Sequence, residues 1–371
     1  MRNLILISLV LTGLYHTAHA EDWQPAEGPL LTRWAKDVSP DNVWPEYPRP
    51  QMVRDRWVNL NGPWEYSIEA KEASEPTVWD GEIMVPFAAE SALSGVMKTV
   101  KPDQRLWYRR TFDKPSVDTG DRVLLHFGAV DWDCTVWVNG EETGAHRGGF
   151  DPFTFDITDQ LKPGMNELVL SVWDPTDAGY QPRGKQVLKP GGIMYTAVTG
   201  IWQTVWLEMV LAVHIQTLKI VPDIDRGIVS VTVNATETTG VQLSAVDGGR
   251  GVATQTGEVG ETVELKIDDV KLWSPDSPHL YDLKVELTQG GRTVDGVDSY
   301  FGMRKTHVAK DLKGINRLML NNQVLFQYGP LDQGWWPDGL YTPASDEAMK
   351  YDIVMTKNFG MNMARKHVKY E

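Results

Sequence analysis

The chain has 371 residues, a formal net charge of −14 and a single cysteine. Its length allows two or three domains of roughly 100–200 residues. The negative charge argues against a phosphate-binding surface and so against nucleic acid as a partner, and Cys134 alone excludes an internal disulfide.

The chain begins as an export signal would. Arg2 supplies a positive start, Leu4 to Tyr15 is apolar, and Ala18-His19-Ala20 has the small-x-small form of a cleavage site. The apolar run is shorter than the roughly 20 residues that cross a bilayer, and no later stretch reaches that length. The expectation is a signal peptide over 1–20, cleavage near Ala20, and a secreted or periplasmic protein without a membrane span. Residues 21–56 are rich in Pro and Trp and lack periodicity, so they read as an extended lead-in.

From Trp57 the pattern is short strands and turns. Arg122 to Gly128 is an apolar run. Cys134, Val136 and Val138 alternate with Thr135 and Trp137, a half-buried strand that places the thiol in a core. Asn139-Gly140 follows as a hairpin turn, since both residues accept positive φ. Leu168, Leu170 and Val172 mark another strand, and Thr204 to Met209 a closing one. Gly148-Gly149 permits backbone angles closed to other residues. Asp156 with Thr158 reads as a turn that bonds its own backbone, and Asp151 and Asp156 read as structural carboxylates rather than sugar contacts. This block, 57–212, is a β-sandwich. A second block, 213–303, has strands at Ile228–Val233 and at Leu283, Val285 and Leu287, with a Gly290-Gly291 turn, and is of immunoglobulin-like size. Asn234-Ala235-Thr236 is a glycosylation sequon by pattern.

After Gly302 the texture changes. Val324 to Tyr328 reads as a strand, Gly329 to Pro343 as a Gly/Pro/Trp-rich loop, and Ser345 as the N-cap of a helix carrying Ala348, Tyr351, Val354 and Met355 on one face, with Gly360 at its C′ position. Met361 to His367 reads as the next strand, so 304–371 predicts a parallel β-α-β unit.

No nucleophile elbow, phosphate loop, zinc-protease motif or complete dinucleotide fingerprint is present. The eight histidines lack metal-ligand spacing, so no metal and no cofactor are expected. Several segments are more specific. Phe127-Gly128-Ala129-Val130-Asp131, Val136-Trp137-Val138-Asn139-Gly140, His146 to Phe153, Phe155-Asp156-Ile157-Thr158 and Thr199 to Glu208 resemble, in order and spacing, the sugar-binding jelly roll of family 2 glycoside hydrolases, and Leu106 to Phe112 fits an earlier strand of that domain. That family includes β-galactosidases, β-glucuronidases and β-mannosidases.

The resemblance implies a mainly β protein: a jelly roll, an immunoglobulin-like β-sandwich, then the first β-α-β of an incomplete (β/α)₈ TIM barrel. It also implies a β-glycoside or oligosaccharide as partner, and retaining hydrolysis by two glutamates on later barrel strands, the acid/base directly after an Asn. No Asn-Glu pair occurs in 304–371, and Asn166-Glu167 lies in a sandwich strand. Both catalytic glutamates are therefore expected beyond Glu371, and the chain alone is expected to be inactive. The alternative is a non-catalytic carbohydrate-binding sandwich protein.

Sites in such barrels lie on loops after the strands. The candidate substrate-binding residues are Asp332, Gln333, Trp335, Trp336 and Asp338 on the first such loop, and Arg365, His367 and Lys369 after the second strand. Arg365 matches a family arginine that stands beside the nucleophile. The family pattern there is Arg-x-Ser-His, whereas Arg365-Lys366-His367 places the histidine one position early. For the loop tryptophans, packing against the sandwiches and sugar stacking are both open.

Overall fold

The structure is a computed structural model that describes residues 23–28 and 30–368. The expected signal peptide and Lys369 lie outside the described residues.

The first sandwich pairs a six-stranded antiparallel sheet with a four-stranded one. The larger sheet runs in the order Gly81–Val85, Gly62–Ala70, Gln104–Asp113, Met165–Trp173, Asp133–Val138, Glu141–Arg147. The smaller runs Trp57–Asn59, Val205–Val210, Arg122–Phe127, Phe153–Asp156. Alternation decides which side chains enter the core between them. Cys134, Val136 and Val138 face inward with Leu168, Leu170, Val172, Leu125 and Phe127. Burial pushes the Cys134 thiol up to about 12, so it remains a protonated core group. Asn139 and Gly140 turn the hairpin with φ of 53° and 81°.

The strand Met165–Trp173 departs from simple alternation. Val169 and Ser171, on its outer side, are also buried. Trp107 and Trp137 stack on that outer face with centroids 5.6 Å apart, and Arg109 lies over Trp79. A layer of aromatic and guanidinium groups thus covers the sheet on its far side.

The second sandwich sets the strands Ile215–Asp223, Ile228–Ala235 and Thr262–Lys266 against a sheet ordered Arg250–Glu258, Gly240–Asp247, Tyr281–Gln289, Arg292–Phe301. Its core is mostly aliphatic, built from inward residues such as Val231, Leu243, Leu283 and Val285, with Tyr281 stacked on Phe301 among them.

The remainder corrects one sequence expectation. Val324 to Tyr328 is not the first parallel strand. Only Gln323–Val324 is extended and paired, and it closes an antiparallel meander with Thr306–Lys310 and Asn316–Leu320. Phe326 is 82% exposed, so its apolar run marks a surface rather than a buried strand. The parallel pair is instead Leu331–Asp332 with Arg365–Lys366, joined through the helix Asp346–Asn358. Ser345 caps that helix by accepting the Ala348 amide, Asp346 and Glu347 occupy its first turn, and Gly360 follows its end at φ 77°.

The lead-in ties these parts together. The Val53 amide donates to the Asp298 carbonyl on the second sandwich, and Trp44 Nε1 donates to the Pro343 carbonyl beyond it. Ala35, Val38 and Val43 join Met84, Phe87, Leu93 and Ala344 in one small core. At the centre of the strap Glu208, fully buried, accepts both Nη2 contacts of Arg49 at 2.8 Å, the Tyr47 hydroxyl and Trp206 Nε1. Arg54 lies 3.5 Å from the same carboxylate and pairs with Asp295 at 2.7 Å. Burial opposes ionisation of Glu208, but the adjacent His126 ring, the charge of Arg49 and the hydrogen bond from Tyr47 outweigh it and hold the carboxyl far below the usual range. Burial favours neutral His126, so the two arginines carry the counter-charge.

Candidate functional site

The described parallel strands end where a long loop of the first sandwich meets them. Asp174 starts that loop at the end of Met165–Trp173. It accepts the Thr176 amide at 2.8 Å and Gln181 Nε2 at 3.3 Å, which pins the loop's base. Arg183 to Gln186 then form a turn closed by the Gln186 amide donating to the Arg183 carbonyl. Gly184 takes φ 60° there, and any side chain at this position would collide with the Val368 carbonyl. The turn is thus seated on the end of the second parallel strand.

Gln186 is fully enclosed. Its Nε2 donates to Asp131 Oδ2 at 2.7 Å, and its Oε1 accepts the Val198 amide at 2.6 Å. Gly149 makes room for Asp131, since a Cβ there would meet Asp131 Oδ1 at 2.5 Å. Burial, and then the charge of Asp174, raise the Asp131 carboxyl well above the usual carboxylate range. Burial likewise raises Asp174. Asp131 therefore favours its protonated form, whereas Asp174, raised to about 6, still ionises near neutral pH.

Above them runs a row of aromatic rings. Tyr195 stacks on Trp335 with centroids 4.5 Å apart at 20°, and Trp335 lies 4.6 Å from Tyr341. Tyr341 packs 5.1 Å from Trp202, whose Nε1 donates to the Gly149 carbonyl. Trp335 Nε1 donates to the Thr196 carbonyl at 3.3 Å. A half-buried ring pair at the edge of a loop suits the C–H face of a sugar.

The sequence candidates separate on this geometry. Asp332 sits on the first parallel strand, accepts the Gly334 amide and pairs with Lys366 at 3.0 Å. Gln333 keeps a buried Oε1 without a hydrogen-bond partner among the described residues. Trp335 belongs to the aromatic row. Trp336 turns away to pack edge-on against Trp34 at 6.4 Å. Asp338 is not placed to meet a ligand: it is fully buried, and its Oδ2 accepts the Thr32 amide at 2.7 Å and the Thr32 hydroxyl at 2.6 Å. It anchors the lead-in. Arg365 is exposed, and His367 is half-buried with its amide donating to the Asp332 carbonyl.

Sequence reasoning missed Asp131, Asp174, Arg183, Lys185, Gln186, Tyr195 and Tyr341. The signal available was length: the stretch from Asp174 to Thr199 has only two-residue strands within it, and connections beyond about 12–15 residues are uncommon unless functional. Two grooves lie elsewhere. One, of about 570 Å³, runs between Arg49–Met52 and the second sandwich, and one of about 460 Å³ lies beside Trp44 and Ser345. Neither reaches the ends of the parallel strands.

The model of glycosyl hydrolases family 2 matches residues 213–304, and that of the glycosyl hydrolase 2 galactose-binding-like domain matches residues 81–192. The chain belongs to family 2 of the glycosyl hydrolases. Among curated relatives, a β-galactosidase of Thermoanaerobacter pseudethanolicus is 27% identical over 70% of this chain and 36% of its own length. A β-glucuronidase of Paenibacillus borealis is 25% identical over 71% of this chain and 47% of its own. The chain thus spans between a third and a half of these family 2 relatives. Among solved structures, the Ruminococcus gnavus β-glucuronidase in complex with D-glucaro-δ-lactam superposes with a TM-score of 0.71 at 20% identity, over 87% of this chain and 57% of that one, which shows a shared fold.

Proposed function

We propose that this chain forms the sugar-binding and supporting modules, and the beginning of the catalytic domain, of a retaining glycosidase acting on β-galactoside- or β-glucuronide-like substrates. The observation that carries this reading is the landing of the 174–199 loop of the first sandwich on the carboxyl ends of the parallel strands. That is where ligands bind in parallel α/β architectures. The pair Leu331–Asp332 and Arg365–Lys366 with its helix is the first β-α-β of a (β/α)₈ barrel. Leu331, Ile353, Val354 and Phe359 are 49%, 71%, 44% and 70% exposed, which is the apolar surface that further barrel strands and helices would cover.

In this reading Trp335 and Tyr195 hold a sugar face, Gln333 and Arg365 direct hydrogen bonds at its hydroxyls, and the Asp131–Gln186 pair fixes the loop. Retaining hydrolysis needs two carboxyl groups about 5–5.5 Å apart. Asp332 is paired with Lys366 and Asp131 is enclosed, so neither serves as acid or nucleophile, and the two glutamates belong to later strands. The first residues support export through a signal peptide ending near Ala20, which N-terminal sequencing of the mature protein tests: a start at Glu21 supports it, and an intact Met1 contradicts it. The activity reading is tested with nitrophenyl β-galactoside and β-glucuronide. The 371-residue chain binds methyl β-glycosides without turnover, whereas turnover by this chain, or failure to bind any sugar, contradicts the reading.

A further inference from the structure

Three carboxyl groups are enclosed beneath the 174–199 loop. Asp131 and Asp174 are each 2% exposed and Glu90 is 7% exposed. A carboxylate taken out of water needs a paired cation or stays protonated. None of the three has an ion-pair partner among the described residues. What favours their ionisation is hydrogen bonding: from Gln186 at Asp131, from Thr176 and Gln181 at Asp174, and from the Thr199 and Val100 amides, among others, at Glu90. The titratable groups that face them are acidic as well. Asp174 and Glu90 act on Asp131, and Asp177 acts on Asp174. The Tyr341 hydroxyl, from the loop before the helix, faces Asp131 and Asp174, and the Tyr108 hydroxyl, from the strand Gln104–Asp113, faces Glu90. Each ionisation therefore makes the next one harder.

Gln186 couples these acids to the loop. It donates to Asp131 Oδ2 at 2.7 Å and accepts the Val198 amide at 2.6 Å, so it ties the middle of the loop both to its end and to the strand Val130–Asp131. The same loop carries Gly184, seated against Val368, and Tyr195, stacked on Trp335. Lifting the loop takes Gln186 off Asp131 and lets water reach the carboxyl. We propose that the 174–199 loop is a pH-sensitive cover over the ends of the parallel strands, seated in weak acid with Asp131 protonated and lifted as the pH rises and Asp131 ionises. Linkage gives the sign. While the loop is seated, burial and then Asp174 hold the Asp131 carboxyl well above the ordinary value, and in water it returns towards about 3.9. The seated state binds the proton more tightly, so its advantage is full in acid and is lost as the pH rises. Asp174, raised to about 6, adds to the effect below that value and not above it. Tyr195 leaves Trp335 when the loop lifts, so the ring pair is complete only in the seated state.

Hydrogen–deuterium exchange of the 371-residue chain from about pH 5 to about pH 8, with each rate corrected for the intrinsic rate at that pH, tests the cover. Above about pH 6 the protection over 183–198 should fall about tenfold for each pH unit, as one proton released on opening requires, and it should fall more steeply below. The strand Tyr281–Gln289 of the second sandwich lies in a separate core, serves as the reference and should change less. D131N removes the ionising group and should flatten the fall above about pH 6. D174N, which keeps the test decisive where D131N does not fold, should remove the extra steepness below about pH 6 and leave the fall above it. Protection that does not change with pH, a fall of equal size in the second sandwich, or a fall that the folded variants leave unaltered overturns the cover. The glycosidase reading stands under each of these outcomes, since no sugar is present.

Discussion

Glu208 and Glu90 are buried carboxyl groups with opposite fates. Glu208 is surrounded by Arg49, Arg54, Tyr47 and Trp206, and its carboxyl is held far below the ordinary value. Such a group contributes stability that is present above its unfolded pKa and is lost as pH falls towards the folded one. Glu208→Gln should therefore cost about 3–5 kcal/mol near neutral pH, because it leaves two arginines with an incomplete partner. The gap between the two proteins should shrink as the pH falls below the ordinary glutamate value. Thermal melts across that range check this, and a constant gap contradicts it. Burial raises the Glu90 carboxyl from 4.5 to about 8, outweighing the hydrogen bonds it accepts, those from the Thr199 and Val100 amides among them. Its sign is the reverse. Between these two values the folded state binds more protons than the unfolded chain, so stability declines as pH rises through the window. Glu90→Gln leaves one amide facing an amino group and should melt below the unaltered protein near pH 5. It should recover, relative to it, towards pH 8. A difference that does not move with pH would show Glu90 to be ionised throughout.

Among elements, the helix Asp346–Asn358 was legible in the sequence, because its signals are local: Ser345 at the cap, acids in the first turn, Gly360 after the end. Ser345→Ala should weaken it by about 1 kcal/mol, seen as faster hydrogen exchange over 346–358 with little change in either sandwich. The sandwich strands were legible for a similar reason, since alternation within a few residues decides which side faces the core. The first parallel strand was not. Its signal is a pairing of Leu331 with Arg365 across a helix, whereas Val324 to Tyr328 has the apolar run and is exposed. Asp338 was misread for the same cause. What fixes it is Thr32, distant in sequence, through two short hydrogen bonds. Asp338→Asn replaces one acceptor oxygen by a donor. Limited proteolysis should then cut the 23–56 lead-in faster, while an unchanged digestion pattern would remove Asp338 from the role of anchor.

At the scale of the whole molecule, motif order was enough to read two sandwiches followed by a β-α-β unit, because each motif lies within one hairpin or turn. Of the candidate site, the sequence pointed only to the side of the parallel strands, through Asp332, Trp335 and Arg365. Its other side, Arg183 to Tyr195, comes from a loop that carries no periodicity and is defined by what it touches. The central claim is that this junction, and neither of the two grooves, receives the sugar. Hydrogen–deuterium exchange of the 371-residue chain with and without millimolar methyl β-D-glucuronide tests it most directly. The account predicts added protection at 183–196, 331–341 and 365–368. Protection confined to the segments lining the grooves, 49–52 with 216–222 or 42–47 with 344–347, would contradict it.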